Sequence, residues 1–540
     1  MNWKRSNLQG ASRGLFVNRV SSPVGWTALW MVLAGLLQAA SLAWPFATPT
    51  AFGVFGLTQG QPVWWLQWLA MAALVLGVTG ADTPRRAARL GWWFATAWLT
   101  GSFGWLFTSM HTYGGLAAPL AALAVLALAG VLALYSAVAM WLFRALAPMN
   151  NTLSAIYFAA LWMLAEMARG LLLTGFGWGA VGYAQVEGPL AGSLPWVGVY
   201  GTGALAAGCA LGLAHLLRAR SLRKRAPVAI GLVLGVGLLQ LVPSASGGSA
   251  GALSVTLLQG NIPQDEKFDQ SSGVPNALRW YGQQLNLSQT SLVITPETGL
   301  ALMPDELPPG YWQALQERFA KGEQAALVGL PLGSYQAGYT NSVVGLKPGQ
   351  TTLWQYDKHH LVPFGEFIPP LFRWFTDMMN IPLGDFNRGA LPQPTFNWQG
   401  QRLATSICYE NLFSEEMAAQ FTEVASAPTI LVNISNLGWF GEHLAMDQHL
   451  HIARTRTLEF ARPFLLATNT GRTALVDHHG QVIQALPNHV AQALSATVEG
   501  RTGITPYAWW VSRWGQWPLA FVAMMIVALG WTFGRRRGRR

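Results

Sequence analysis

The sequence predicts an α/β protein in two parts, a polytopic helical membrane domain of about eight spans and a layered α/β globular domain of roughly 250 residues. Three observations carry this. Charged residues make up only 11% of the chain and hydrophobic ones 51%, too few charges for an ordinary soluble protein. The composition is uneven: residues 1–245 are mostly apolar runs, whereas 250–505 hold acids, amides and short strand-like runs. The basic residues gather beside the apolar runs, where orientation signals belong, so the net charge of +10 does not point to nucleic acid.

Residues 1–23 form a basic tail with Lys4, Arg5, Arg13 and Arg19. The run that follows lacks a convincing small-residue cleavage site and reads as an anchor. Apolar spans are expected at 24–44, 62–80, 90–109, 117–142, 153–175, 194–217, 227–244 and 515–534. Seven of them make a membrane domain over 24–245, and the last lies within 511–534 ahead of a basic tail at 535–540. Arginines and lysines follow the second, fourth, sixth and last spans, while the alternate loops at 45–61 and 110–116 carry none. The positive-inside rule then puts both termini in the cytoplasm and the domain at 250–505 on the far side. Glu166 and Arg169 stand out within the fifth span. Their i, i+3 spacing puts them on one helix face, where they either face a protein interior or anchor the helix at the interface. Thr174-Gly-Phe-Gly-Trp-Gly179 reads as a non-helical aromatic loop at the membrane surface.

The globular half reads as strands near 253–261, 291–295, 325–330, 341–346, 352–357, 403–407, 428–434, 464–468 and 473–477. Helices are expected over 275–289, 310–321, 411–421 and 444–460. Repeats, heptads and low-complexity linkers are not found.

One stretch organises the chemistry. Leu403-Ala-Thr-Ser-Ile407 ends a strand, and Cys408, Tyr409 and Glu410 follow at once. A cysteine at a strand-to-helix turn is pushed out of the sheet and meets backbone N–H groups able to face an oxyanion. The plain alternative is a small buried hydrophobe. The other cysteine, Cys209, sits in an apolar run, so the two cannot pair, and Cys408 is a candidate reactive thiol. Glu297 closes Thr295-Pro-Glu just past a strand, as a base or as a solvated loop carboxylate. Lys358 lies in Tyr356-Asp-Lys-His-His-Leu-Val-Pro-Phe-Gly-Glu-Phe367, a rigid loop whose amine is suited to steadying negative charge or simply to solvation. His449 and His451 match no zinc spacing, and no Gly-x-Ser-x-Gly elbow occurs in this half, so neither a metal nor a cofactor is expected.

Pro-Glu after a strand, Lys-x-His-Leu-Val-Pro-Phe-Gly-Glu and Ile-Cys-Tyr-Glu occur here in that order. Together they resemble the Glu-Lys-Cys triad of the nitrilase superfamily. With the flanking spans, nearly the whole chain is similar to the apolipoprotein N-acyltransferase family of the Gram-negative inner membrane. Supporting stretches are Gln259-Gly-Asn-Ile-Pro-Gln264, Thr174-Gly-Phe-Gly-Trp178, Asn433-Ile-Ser-Asn436 with Trp439-Phe-Gly441, and Leu458-Glu-Phe-Ala-Arg-Pro463. The resemblance implies an α-β-β-α sandwich facing the periplasm. It implies Glu297 as general base, Cys408 as nucleophile, and Lys358 with the N–H after the cysteine as oxyanion holders. It further implies a supporting Glu366, Tyr409 and Glu410 as flanking residues, and Trp439 and Phe268 as substrate-binding aromatics. The family often has Trp-Pro-Glu where Thr295 stands, Trp where Phe268 stands, and Asn-Asp-Ala-Trp-Phe-Gly where this chain has Asn436-Leu-Gly-Trp-Phe-Gly441.

The implied reaction moves a fatty acyl chain from a membrane phospholipid to the α-amino group of an S-diacylglyceryl cysteine at an apolipoprotein N-terminus. It runs by ping-pong chemistry through a cysteine thioester in a monomeric enzyme. Two rivals are a membrane-anchored amidase acting on soluble amides, and a transporter or scaffold with a degenerate enzyme domain, for which Glu166 and Arg169 are the best support.

Overall fold

The computed structural model describes residues 24–147, 151–241, 247–350, 352–369, 386–442 and 444–537. The expected basic tail at 1–23 lies outside them, as do residues 538–540 of the C-terminal tail.

Each expected apolar run contains a helix. They are α1 (Val24–Ala40), α2 (Trp64–Thr79), α3 (Pro84–Phe103), α4 (Ala118–Leu146), α5 (Asn151–Leu171), α6 (Leu194–Arg218) and α7 (Leu222–Gln240). Runs of Ala, Leu, Val and Trp favour helix where every backbone polar group must be satisfied within the segment. The starts are set locally: Pro84 occupies the first turn of α3, and the Thr83 hydroxyl accepts the Arg86 N–H at 3.2 Å. Among the described residues, two helices are long and apolar enough to cross a membrane, Ala118–Leu146 and Ala191–Arg218. A bent pair, Pro506–Trp514 and Trp517–Thr532, makes a third if taken as one span, and three further apolar helices are shorter. Large apolar side chains face outward along α4 and α7, among them Leu123, Val131, Val138, Val233 and Leu238. Such a surface belongs in lipid.

Two six-stranded sheets make the other half. One has the order β12-β1-β2-β3-β4-β5, the other β11-β10-β9-β8-β7-β6. The strands of the first are β1 (Ser249–Gln259), β2 (Leu292–Ile294), β3 (Ala325–Ser334), β4 (Gly338–Leu346), β5 (Trp354–Asp357) and β12 (Gln492–Arg501). Those of the second are β6 (Phe396–Trp398), β7 (Gln401–Ile407), β8 (Ile430–Ser435), β9 (Phe464–Thr468), β10 (Ala474–Val476) and β11 (Val482–Ala485). The strand period of two sorts the apolar residues into layers. Leu292, Ile294, Leu327 and Val343 meet Ile407, Val432, Ile434 and Leu465 between the sheets. On the outer face of the first sheet, Val293, Ala326 and Val328 pack under α8 (Gly273–Leu287) and α9 (Tyr311–Lys321). On the outer face of the second, Leu431, Phe464 and Leu466 pack under α10 (Leu444–Phe460) and α11 (Pro506–Trp514). The result is the expected helix–sheet–sheet–helix sandwich.

Three features differ from the sequence reading. The helix expected over 411–421 is broken into a 3₁₀ turn at Cys408–Leu412 and a short helix at Ser414–Ala418. The Glu410 carboxylate accepts the Ile407 N–H at 2.6 Å, which ties the turn back to β7. The apolar span expected at 515–534 is one helix, but residues 511–514, grouped with it in the final segment, belong to the helix before it. Gly515, at φ +55°, separates α11 from α12 (Trp517–Arg537), and the two are bent by 88°. Strands β6, β11 and β12 were not expected; β6 and β11 are short, and β12 is a half-exposed edge strand paired with β1.

Gly329 in β3 explains how the loop after β2 comes so close to the sheet. A Cβ there would stand 2.3 Å from the Pro296 carbonyl oxygen and 2.8 Å from Ile434 Cδ1. Gly329→Ala is therefore expected to destabilise the chain by about 1–3 kcal/mol in thermal unfolding. Gly231→Ala in α7, where nothing lies within 4 Å, is the matched control and should be near neutral. Equal melting temperatures would show that the backbone is not held close at Gly329.

Candidate active site

Strand direction gathers the candidate residues at one edge of the sandwich. β2 is parallel to β3, β4 and β5 are each antiparallel to the strand before, and β5 therefore runs the same way as β2. Glu297 follows the end of β2 and Lys358 the end of β5. In the facing sheet β7 and β8 are parallel, with Cys408 after β7 and Asn436 after β8. Loops at the carboxyl ends of parallel strands are where α/β folds place their sites.

Lys358 is the centre of a buried ionic cluster. Its Nζ donates to Glu366 Oε1 at 2.8 Å and to Glu297 Oε1 at 3.2 Å. Asn341, from the middle of β4, donates its Nδ2 to the same two oxygens, at 2.9 and 2.8 Å. The second Glu297 oxygen accepts the backbone N–H of Asn436 at 2.8 Å, and the second Glu366 oxygen that of Val362 at 2.9 Å. Lys358 is only 1% exposed. Burial pushes the Glu297 carboxyl up, but the Lys358 and Lys267 ammonium groups and the Asn341 amide overcome this and hold it below the usual glutamate range. Burial pulls the Lys358 amine down, and Glu297 and Glu366 more than restore it, so it stays charged.

Cys408 stands on a strained elbow. Its φ is +52°, a left-handed conformation costly for a residue with a Cβ. Asn433 Nδ2 donates to the Cys408 carbonyl at 3.2 Å and helps hold the turn. Burial and then the Glu297 charge push the thiol well up, with Lys358 opposing. The resting site thus holds a protonated thiol beside an ionised carboxylate and a charged amine. That set suits proton removal at the moment of attack on a carbonyl carbon.

Residues 55–212 match the apolipoprotein N-acyltransferase N-terminal domain and residues 254–507 match the carbon-nitrogen hydrolase family. An apolipoprotein N-acyltransferase of Verminephrobacter eiseniae is 51% identical over 521 residues, covering 92% of this chain and 95% of that one. The chain belongs to the apolipoprotein N-acyltransferase family. A second member, from Ralstonia nicotianae, is 40% identical over 97% of this chain and 99% of its own. Among solved structures, a carbon-nitrogen hydrolase from Helicobacter pylori G27 is 15% identical with a TM-score of 0.34, covering 50% of this chain and 94% of that one.

In this family member the residues that follow Cys408, Tyr409 and Glu410, tie the elbow down. Glu410 accepts the N–H groups of His359 at 2.7 Å and His360 at 3.1 Å, and the Tyr356 hydroxyl at 2.9 Å. It therefore joins the cysteine turn to the lysine loop. Tyr409 reaches the membrane half, donating its hydroxyl to the Gly175 carbonyl at 3.1 Å. His360 Nε2 lies 2.9 Å from the Thr174 carbonyl oxygen. Its Nδ1 lies 2.8 Å from Glu416 Oε1, and burial pulls the imidazole down to about 4. The loop carrying Thr174 and Gly175 is itself pinned by the pair singled out in α5. Arg169 donates to the carbonyls of Phe176 at 2.5 Å and Trp178 at 2.7 Å, and Glu166 accepts the Val181 N–H at 2.9 Å. Glu166 and Arg169 are 3.9 Å apart and both buried. Their partners are structural, which removes the support they lent to a transporter reading.

Phe268 and Trp439 are not packed on the cluster. Phe268 is 48% exposed, with the Lys267 Nζ 6.0 Å from its ring centroid. Trp439 packs edge-on against Tyr113, 5.6 Å away, in a π-helical turn of the membrane half. Sequence reasoning missed Asn341 as a bridge and Lys267 as a buried cation. The signal for Asn341 is the one amide in a strand whose other polar side chains are hydroxyls. Lys267 sits three residues past the Gln259-Gly-Asn-Ile-Pro-Gln264 stretch, between Asp265-Glu266 and Phe268.

Asn341 generates a prediction. Asn341→Ala removes one donor from each buried carboxylate and should cost about 1–3 kcal/mol in thermal unfolding. Asn341→Asp should cost more, because it places a third carboxylate against the other two. Asp being tolerated better than Ala would show that the two carboxylates do not share this partner.

Proposed function

We infer that this enzyme, an acyltransferase of lipoprotein maturation in the inner membrane, takes a fatty acyl chain from a phospholipid. It passes the chain to the α-amino group of the S-diacylglyceryl cysteine that begins an apolipoprotein. The observation that carries the reading is the buried Glu297–Lys358 pair beside a cysteine elbow, in a chain whose relatives align over nearly its full length.

A free thiol, with an ordinary pKa of about 8.5, needs a base. Glu297 takes the proton as Cys408 Sγ bonds to the ester carbonyl carbon. The carbonyl electron pair moves to oxygen, where Lys358 and the Tyr409 N–H meet it. Collapse breaks the ester C–O bond, Glu297 returns the proton to the departing lysophospholipid, and a thioester remains. The amine of the second substrate then attacks the thioester, and the thiol leaves with its proton restored. Glu366 keeps Lys358 in place through both halves, and Glu410 holds the lysine loop against the cysteine turn. Phe268 and Trp439 serve as rim aromatics for the lipid-bearing substrates.

The topology belongs to the same proposal: seven spans over 24–245 and one over 511–534, both termini cytoplasmic, and the domain at 250–505 in the periplasm as part of a monomer. This arrangement brings both substrates to the site within the bilayer plane. It also keeps water from the thioester, on which transfer rather than hydrolysis depends. The amidase reading leaves the contacts of Tyr409 and His360 with the membrane half without a role.

Intact-mass spectrometry tests the first half-reaction. The purified enzyme, given a phospholipid of defined acyl chains and no acceptor, should gain the mass of one acyl group. Hydroxylamine should remove it, and Cys408→Ala should not acquire it. A folded enzyme that gains no adduct, but turns over soluble amides, would support the amidase instead.

A further inference from the structure

Lys267 is a buried charge that the mechanism above does not use. It lies in the segment between β1 and α8 and is 3% exposed. Its Nζ donates to the backbone carbonyl of Glu297 at 2.9 Å, so Glu297 is held through its main chain by one lysine and through its carboxylate by another. Among the described residues Lys267 makes no ion pair of its own. Burial pulls its amine down to about 8, with Glu297 and then Cys408 opposing. A buried cation without a dedicated carboxylate carries a large desolvation penalty. Such a group has to be compensated by the charge of the pocket as a whole.

Counting that charge gives Lys267 a task. Glu297 and Glu366 contribute two negative charges, Lys358 and Lys267 two positive ones. Glu410 stands outside this count: burial pushes its carboxyl up to about 7, and it is met by the N–H groups of Ile407, His359 and His360 and by the Tyr356 hydroxyl. His449, 3.4 Å from the Cys408 carbonyl oxygen, is pulled by burial down to about 4 and is neutral. With the thiol protonated, the four charges cancel. When the thiol proton passes to Glu297 and the carbonyl pair moves to oxygen, the protein groups are left at +1 opposite an oxyanion at −1. Without Lys267 the same groups would stand at −1 at rest and at zero when the oxyanion forms.

We propose that Lys267 is the second cation of the reacting pocket. It acts through Glu297 as a positioning residue: its charge keeps the base ionised and leaves the pocket one positive charge in excess as the oxyanion appears. The proposal rests on the acyl-enzyme reading above and names the charge balance of that same site.

The sign of the pH effect follows. Acylation needs ionised Glu297 and is lost as pH falls through its pKa. A nearby cation lowers that pKa, so removing the cation moves the acid limb of the rate profile to higher pH. The test uses the full-length enzyme and the mass assay, with acyl-enzyme formation followed in time across the acidic range. Lys267→Gln keeps an N–H donor for the Glu297 carbonyl and removes the charge. It should slow acylation by about tenfold or more at neutral pH and raise the limb by about one pH unit. Lys267→Arg should keep the wild-type limb, and the KM for phospholipid should not change.

A folded Lys267→Gln enzyme with the wild-type limb would overturn the assignment. So would a loss confined to KM, which would make Lys267 a ligand of the donor's phosphate. If Lys267→Gln fails to fold, the arginine variant decides: an unshifted limb supports the proposal and a shifted one contradicts it. Absence of any adduct in the wild-type enzyme would overturn the thioester reading itself, a result distinct from these.

Discussion

The Lys358 ammonium, buried between Glu297 and Glu366, is the interaction on which the catalytic half depends. Taking one cation and two carboxylates out of water costs several kcal/mol per ion, and only close, multiple hydrogen bonds offset that cost. The cluster supplies them: each carboxylate is met by the lysine, by the Asn341 amide and by a backbone N–H. Those partners come from four separate places, the loop after β2, the middle of β4, the loop after β5 and the end of β8. The cluster therefore closes only when both sheets are assembled. It couples folding of the sandwich to assembly of the site, and leaves Glu297 charged where burial alone would neutralise it.

A second set of contacts joins this cluster to the membrane. Glu166 and Arg169 hold the loop after α5 by its backbone, and that loop offers two carbonyls to the catalytic half, one to Tyr409 and one to His360. The residue after Cys408 and a residue two past Lys358 are thus bonded to a membrane-half loop. Tyr409, Leu412 and Phe413 also share one apolar cluster with α3, α5 and α6 residues. The elbow is shaped as much by the membrane half as by its own sheet. A reaction between two lipid-anchored substrates requires that fixed relation, since an error of an ångström in placing reactants is expensive.

Much of this was legible in the sequence because the signals are local. Ile407-Cys408 reads as a strand running into a turn, Pro296-Glu297 as a strand stop with an acid, and 356–367 as a charged, Pro- and Gly-punctuated loop. The period-two runs that form both sheets were equally visible. What was not legible depends on residues far apart in the chain. Lys267 and Asn341 look like ordinary polar residues until folding buries them beside Glu297. The helix expected over 411–421 yields to hydrogen bonds that Glu410 makes with Ile407 and the lysine loop, a tertiary override of propensity. β12 escapes notice because its partner β1 lies at the opposite end of the domain.

Lys358 balances two buried carboxylates and is proposed to serve the reaction as well, and a charge-compensated pair of variants separates these tasks. Lys358→Met alone leaves both carboxylates without their cation and should lower stability by about 3–5 kcal/mol. Adding Glu366→Gln removes the surplus charge and should return most of that stability. The measurement is the rate of acyl-enzyme formation in the double variant, at a temperature where it is shown to be folded. A stable protein that forms no measurable thioester is expected. A double variant that acylates at the wild-type rate would show that Lys358 only neutralises its neighbours and has no part in the reaction.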